Sequence, residues 1–132
     1  MLMLAACGSS GKSASSEKSD FIAQADAVCS RYNDLATKAT KNLKHPNQRQ
    51  MISAIQNRLV PIFQRQDAEL AQLHPPQADE ATFAKFIADL KAATTDVAQY
   101  PEAFVAAHGA TPLARKAADE AAAYGFAVCA RI

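Results

Sequence analysis

Apolar side chains recur every three or four positions from residue 20 onwards, and this period predicts amphipathic helices rather than strands. Ser19 or Asp20 can cap the first helix, because both side chains accept hydrogen bonds from backbone N–H groups. The helix is expected to end at His45-Pro46, since the residue before a proline disfavours helical backbone angles. Its apolar stripe consists of Phe21, Ile22, Ala25, Val28, Cys29, Tyr32, Leu35, Ala36, Ala39 and Leu43.

A second amphipathic segment begins at Asn47, where Gln50 follows at the spacing of a capping box. Pro61 interrupts this segment near its middle. A proline inside a helix removes one backbone hydrogen bond and costs about 3 kcal/mol. We therefore expect either a kink near Pro61 or two helices that meet at Val60-Pro61, ahead of the proline-rich link at residues 74–76.

The third helix is expected to begin near Gln77, because Asp79 and Glu80 would lie in its first turn. Negative charge is favourable there, next to the positive end of the helix dipole. Pro101 breaks the apolar pattern that follows, so a second kink is predicted near Tyr100.

Glycine and proline also mark the ends of the last two helices. Gly109 suits the left-handed position that commonly closes a helix. Thr111 is a good N-cap for a fourth helix, and Pro112 fits its first position. The alanines within residues 117–123 allow close approach of neighbouring helices, and Gly125 is expected to end the fourth helix.

Four amphipathic segments with short links predict an all-α fold, an antiparallel four-helix bundle of up-down-up-down topology over residues 20–132. In that topology the start of the first helix and the end of the fourth lie at the same end. Cys29 and Cys129 can therefore meet and form a disulfide, which persists in oxidising compartments. Two separately buried thiols remain the alternative. A redox-active pair is unsupported, because the sequence has no Cys-x-x-Cys pattern.

Length and charge narrow the class of protein. A chain of 132 residues corresponds to one domain. The formal net charge of +1 gives no electrostatic field for nucleic acid, so we expect no nucleic-acid partner.

The third cysteine, Cys7, follows a short apolar run that ends in Leu4-Ala5-Ala6. Small residues followed at once by cysteine resemble a bacterial lipobox, whose cysteine thiol receives a diacylglycerol. The apolar run is too short for a whole signal peptide. We therefore expect residues 1–6 to be the remnant of a truncated signal, with Cys7 lipidated. Residues 7–19, rich in serine and glycine, would form a flexible tether that reaches about 20 Å.

Three stretches together resemble small uncharacterised lipoproteins of actinobacterial type: residues 20–29, the Leu70-x-x-Leu73-x-Pro75-Pro76 link, and Ala123-Tyr124-Gly125-Phe126-x-x-Cys129. The resemblance implies an exported helical domain that is closed by a disulfide and anchored by lipid on the extracytoplasmic face of the cell membrane. It implies no activity.

No motif for catalysis, a metal or a cofactor is present in the sequence, so we expect none of the three. The three histidines, His45, His74 and His108, lie in or beside links, and we interpret them as solvated turn residues. Metal binding by His45 and His108, which would share one end of the bundle, is the alternative.

A basic cluster lies near the first link and consists of Lys38, Lys41, Lys44 and Arg49. Cations are favourable at a helix C-terminus, so we interpret the cluster as a solvated helix end. Contact with anionic lipid or a cell-wall polymer is the functional alternative.

Two hypotheses for function remain, and an enzyme, which would need a polar cleft with perturbed titratable groups, is the third alternative. In the first, the chain is a non-catalytic envelope lipoprotein that binds a partner protein or a wall polymer. In the second, kinks at Pro61 and Pro101 and the alanines of the fourth helix leave a cavity that binds a small apolar ligand.

Overall fold

The computed structural model describes residues 13–131, and the regular secondary structure in this range is entirely helical. A π-helical turn, Ile55–Leu59, joins the second helix to the third, and a 3-10 turn, Gln77–Asp79, precedes the fourth. The all-α prediction is therefore confirmed for the described residues. The α-helices are α1 (Ala14–Thr40), α2 (Gln48–Ala54), α3 (Val60–Ala71), α4 (Glu80–Gln99), α5 (Pro101–Ala106) and α6 (Pro112–Tyr124).

Helix α1 begins at Ala14 rather than near Asp20, so the predicted start is wrong. Ser13 is the N-cap, and its hydroxyl accepts a hydrogen bond from the backbone N–H of Ser16. Residues 14–19 contain no glycine or proline to oppose a helix, although the sequence interpretation assigned them to the flexible tether. The helix also ends at Thr40, before the expected His45-Pro46 stop.

The capping box at the start of α2 is present, with Asn47 and Gln50 each accepting a hydrogen bond from the other's backbone. Pro61 is the second residue of α3 and follows the π-helical turn directly. The wider π turn moves the backbone carbonyls away from the proline ring, which would clash with one of them in an unbroken α-helix. The change of helical geometry thus falls where the sequence predicted it.

The other predicted breaks and caps also lie at the expected residues. Tyr100 leaves the helical region, with φ of −130° and ψ of 62°, and Pro101 opens α5. Gly109 and Gly125 both have positive φ, and Gly125 closes α6 in the left-handed conformation. The hydroxyl of Thr111 caps α6 by accepting a hydrogen bond from the backbone N–H of Ala114.

The core is centred on aromatic rings where α1, α4 and α6 meet. The ring of Phe21 lies 4.9 Å from that of Phe83 and 5.9 Å from those of Tyr124 and Phe126, centre to centre, in edge-to-face geometry. Leu70 of α3 is completely buried against this cluster. Helix α3 packs against both α1 and α4, and α4 packs against α6.

A short segment after α6, residues 126–131, is attached to α1 by two kinds of bond, and we call it the C-terminal segment. Cys29 and Cys129 form a disulfide with a Cα–Cα distance of 5.2 Å, so the pairing predicted from the sequence is confirmed. One turn earlier on α1, the Asp26 carboxylate accepts hydrogen bonds from three successive backbone N–H groups. These belong to Ala127, Val128 and Cys129, at 3.0, 2.9 and 3.1 Å. The sequence did not reveal this role of Asp26.

Replacing both bridged cysteines by alanine is expected to lower the free energy of unfolding by about 4 kcal/mol, because the bridge closes a loop of 100 residues. Urea denaturation of the double variant and of the oxidised parent measures the difference. A Cys7→Ala variant, which leaves the bridge intact, is the control. Equal midpoints and slopes for the double variant and the parent would show that the bridge does not stabilise the fold.

Candidate functional site

The residues singled out in the sequence do not form one site. Cys7 and residues 1–6 lie outside the described residues, so the structure says nothing of the lipid anchor. His45, His74 and His108 are exposed, and His45 and His108 have positive φ. His108 lines a groove with Leu43 and Pro46, whereas His74 lines another with Pro75. Within residues 13–131, no group of three metal-ligating side chains is brought together.

A mainly apolar pocket of about 200 Å³ lies between α3, α4 and α6 and beside the disulfide. A cavity of about 150 Å³ holds benzene, so this volume suits a ligand of somewhat more than six non-hydrogen atoms. The residues that line the pocket are Cys29, Asn33, Phe63, Gln66, Asp67, Leu90, Ala93, Thr94, Val97, Phe104, Gly109, Ala114, Ala117, Ala118, Val128, Cys129 and Arg131.

Small side chains on α4 and α6 leave the space. Ala114, Ala117 and Ala118 of α6 face the pocket, with Ala93 of α4. Larger aliphatic residues at these positions would fill it. Phe104 lies on α5, after the break at Tyr100, so the interruption of the helix also shapes this wall.

The C-terminal segment supplies another part of the wall through Val128, Cys129 and Arg131. The bonds that hold this segment on α1 therefore also hold one side of the pocket.

The most unusual residue of the pocket is Asp67 on α3, whose side chain is only 3% exposed. The hydroxyl of Thr94 on α4 donates a hydrogen bond to its Oδ2 at 2.6 Å. Its Oδ1 is buried and accepts no hydrogen bond from the described residues. A buried acceptor without a donor is unfavourable by roughly 1–3 kcal/mol, and more for a charged group.

Burial raises the pKa of Asp67 to about 6, although the hydrogen bond from Thr94 and the charge of Lys91 both act in the opposite direction. The carboxylate is therefore mostly ionised at neutral pH. It is an acceptor suited to a protonated amine or another hydrogen-bond donor.

The lining combines a single carboxylate with a threonine hydroxyl, two amides and an arginine. It contains no histidine, serine or free thiol among the described residues. The pocket thus offers groups that bind and orient a ligand.

Sequence reasoning missed Asp67 because it counted the residue with the polar positions of its helix. A signal was available, since Asp67 lies four residues after Phe63 and three before Leu70. That spacing places the carboxylate on the apolar face of α3.

Two further findings bear on class. None of the helices in residues 13–131 combines the length and the apolar character that crossing a bilayer requires. No known family model matches the chain, and no curated protein or solved structure matches it. The resemblance to actinobacterial-type lipoproteins therefore stays a prediction.

The raised pKa of Asp67 predicts how stability depends on pH. The folded state binds the proton of Asp67 more tightly than the unfolded state, so its contribution to stability is present at low pH. That contribution is lost as the pH rises from about 4 through about 6. Relative to an Asp67→Asn variant, the free energy of unfolding of the parent should fall by about 2 kcal/mol between pH 4 and pH 7.

Urea denaturation of both proteins at the two pH values measures this change. Asp119 is an exposed carboxylate on α6, and its Asn variant is the control. A difference between parent and Asp67→Asn that stays constant with pH would show that Asp67 is not buried as an acid.

Proposed function

We propose that this protein binds a small, mainly apolar molecule that carries a hydrogen-bond donor, best a protonated amine. The unpaired, buried Oδ1 of Asp67 in an otherwise apolar pocket is the observation that carries the proposal. A ligand that donates to Oδ1 would remove an unfavourable feature of the empty protein, so binding and relief of that penalty coincide.

The pocket favours the second of the two sequence hypotheses, in which a cavity between helices takes a small guest. Two of the features on which that hypothesis rested line or shape the pocket, namely the alanines of α6 and the break before Pro101. Pro61 contributes less directly, since Phe63 and Asp67 lie on the helix that it opens.

We propose the up-down-up-down bundle as the arrangement around this pocket, with α2, the π turn and α3 acting as one arm. Helix α3 packs against α1 and α4, and α4 packs against α6, as expected for neighbours in such a bundle. The disulfide between α1 and the C-terminal segment agrees with the first and last arms sharing an end.

We further propose that the domain is exported and held by lipid on Cys7 at the extracytoplasmic face of the membrane. Support comes from the lipobox-like sequence, the serine- and glycine-rich residues after it, and a disulfide of the kind that oxidising compartments preserve. When expressed behind a complete lipoprotein signal peptide in a bacterial host with radiolabelled palmitate, the parent should carry label and partition with membranes. Equal labelling of a Cys7→Ser variant would contradict the anchor.

Matched probes test the binding proposal. 2-Phenylethylamine and 2-phenylethanol have the same number of non-hydrogen atoms, and only the first is cationic at neutral pH. Isothermal titration should show saturable binding of the amine at pH 7.5 and weaker binding of the alcohol. Because hydrogen bonds to charged groups contribute about 1.5–3 kcal/mol, Asp67→Asn should weaken amine binding by about tenfold or more. It should change alcohol binding little.

Variants that enlarge a side chain on α6 provide a second test of the binding proposal. Ala114→Leu fills the pocket, whereas Ala122→Leu adds the same bulk at an exposed position of the same helix. The first should abolish binding of both probes and the second should retain it. Absence of saturable binding to the parent, or equal binding by both leucine variants, would overturn the proposal.

A further inference from the structure

A polar groove lies at the C-terminal end of α1, where that helix leads into α2. It is separate from the apolar pocket described above. The groove has a volume of about 580 Å³. It is lined by Asn42, Leu43, Lys44, Pro46, Arg49, Gln50, Ser53, Ala54, Asn57 and Arg58. We call it the basic groove, because three of these side chains are cations and the others are mostly amides, hydroxyls or small.

The chain around the basic groove has a strongly one-sided charge. Between Asp34 and Asp67 the sequence contains six lysines and arginines and no carboxylate, although the whole chain has a net charge of only +1. Two of the six, Lys38 and Lys41, lie at the C-terminal end of α1 and precede the first lining residue, Asn42, in the sequence. Helix α5 packs against α2 and carries Glu102, but Glu102 does not line the groove.

The cations of the basic groove are also unneutralised. Lys44, Arg49 and Arg58 form no ion pair with a carboxylate of residues 13–131. By contrast, Lys85 on α4 and Lys116 on α6 do form ion pairs. Arg58 is held in place, since one guanidinium nitrogen donates to the backbone carbonyl of Ala39 at 3.1 Å. Its other N–H groups stay available to an anion.

The π-helical turn Ile55–Leu59 builds one wall of this groove. Asn57 and Arg58 both lie on the turn and both line the groove. π-helical turns in α-helices occur frequently at functional sites, because the extra residue alters where side chains point.

We propose that the basic groove binds a linear polyanion, a polymer with repeated phosphate or carboxylate groups. Several cations that line one recess can contact successive anionic groups of one chain, and amides such as Asn42 and Asn57 can donate to the same groups. This proposal does not rest on the small-ligand pocket, with which the basic groove shares no residue.

A chain molecule fits the groove better than an anionic bilayer does. The cations line a recess, which a flexible polymer can enter and a flat layer of lipid headgroups reaches only at its rim. Helix α1 has 27 residues and is about 40 Å long, and the basic groove lies at its C-terminus. The proposed lipid on Cys7 precedes its N-terminus, so an upright molecule would present the basic groove away from the membrane.

Inorganic polyphosphate and phosphatidylglycerol vesicles are the probes that distinguish the two surfaces. The full chain with Cys7→Ser avoids insertion through lipid, and binding is titrated at low and moderate salt. We expect polyphosphate binding that weakens with salt and little binding to the vesicles. A Lys44→Gln/Arg49→Gln variant should weaken polyphosphate binding by about tenfold and lower the slope against salt by about one for each side chain.

A Lys18→Gln/Lys91→Gln variant changes the net charge equally but lies outside the groove, and it should bind polyphosphate as the parent does. Three results would overturn the proposal. These are absence of polyphosphate binding to the parent, equal loss in both double variants, and vesicle binding that depends on Lys44 and Arg49 while polyphosphate does not bind.

Discussion

The fold depends on the attachment of the C-terminal segment to α1. Gly125 ends the last helix, α6, in the left-handed conformation. The N–H of Phe126 still donates to the carbonyl of Ala121, but the backbone N–H groups of residues 127–129 have no partner in the helix. Asp26 supplies acceptors for all three, and Cys29, one turn further along α1, binds the same segment covalently. A carboxylate that accepts several backbone N–H bonds forms strong, charge-assisted contacts, which hold this irregular segment against α1.

The attached C-terminal segment connects the aromatic core to the pocket. Phe126 at one end of the C-terminal segment is 2% exposed and packs among the aromatic rings, whereas Val128 and Arg131 line the pocket. The same few residues therefore close the core and form a wall beside Asp67. The buried carboxylate of Asp67 works against stability, and such local conflicts occur in proteins mostly at functional sites.

Local signals in the sequence predicted much of the fold. Helix caps and breaks follow from backbone chemistry within a few residues, and they lie where expected. They are the caps at Asn47 and Thr111, the breaks at Pro61 and Pro101 and the helix end at Gly125. The disulfide followed from topology. The predicted start of α1 was wrong. Ser13 is as good a capping residue as Ser19 and caps the helix in its place, whereas the composition of residues 14–19 had favoured a coil.

The candidate site was harder to predict, since its chemistry depends on burial. Asp67 and Asp26 are ordinary acids in the sequence, and their roles come from partners 27 and about 100 residues away. Helical spacing could have placed both beside the apolar stripe. It could not have shown that one carboxylate oxygen of Asp67 lacks a donor or that the other acid faces three backbone N–H groups.

Amide hydrogen exchange of Ala127, Val128 and Cys129 tests most directly whether the Asp26 carboxylate holds the C-terminal segment on α1. In an Asp26→Asn variant with the disulfide intact, these three amides should exchange about tenfold faster or more than in the parent. The amides of α4 should keep their protection, and an Asp34→Asn variant at an exposed position of α1 should match the parent throughout. Unchanged protection of the three amides in Asp26→Asn would contradict the account, because the segment would then be held without the carboxylate.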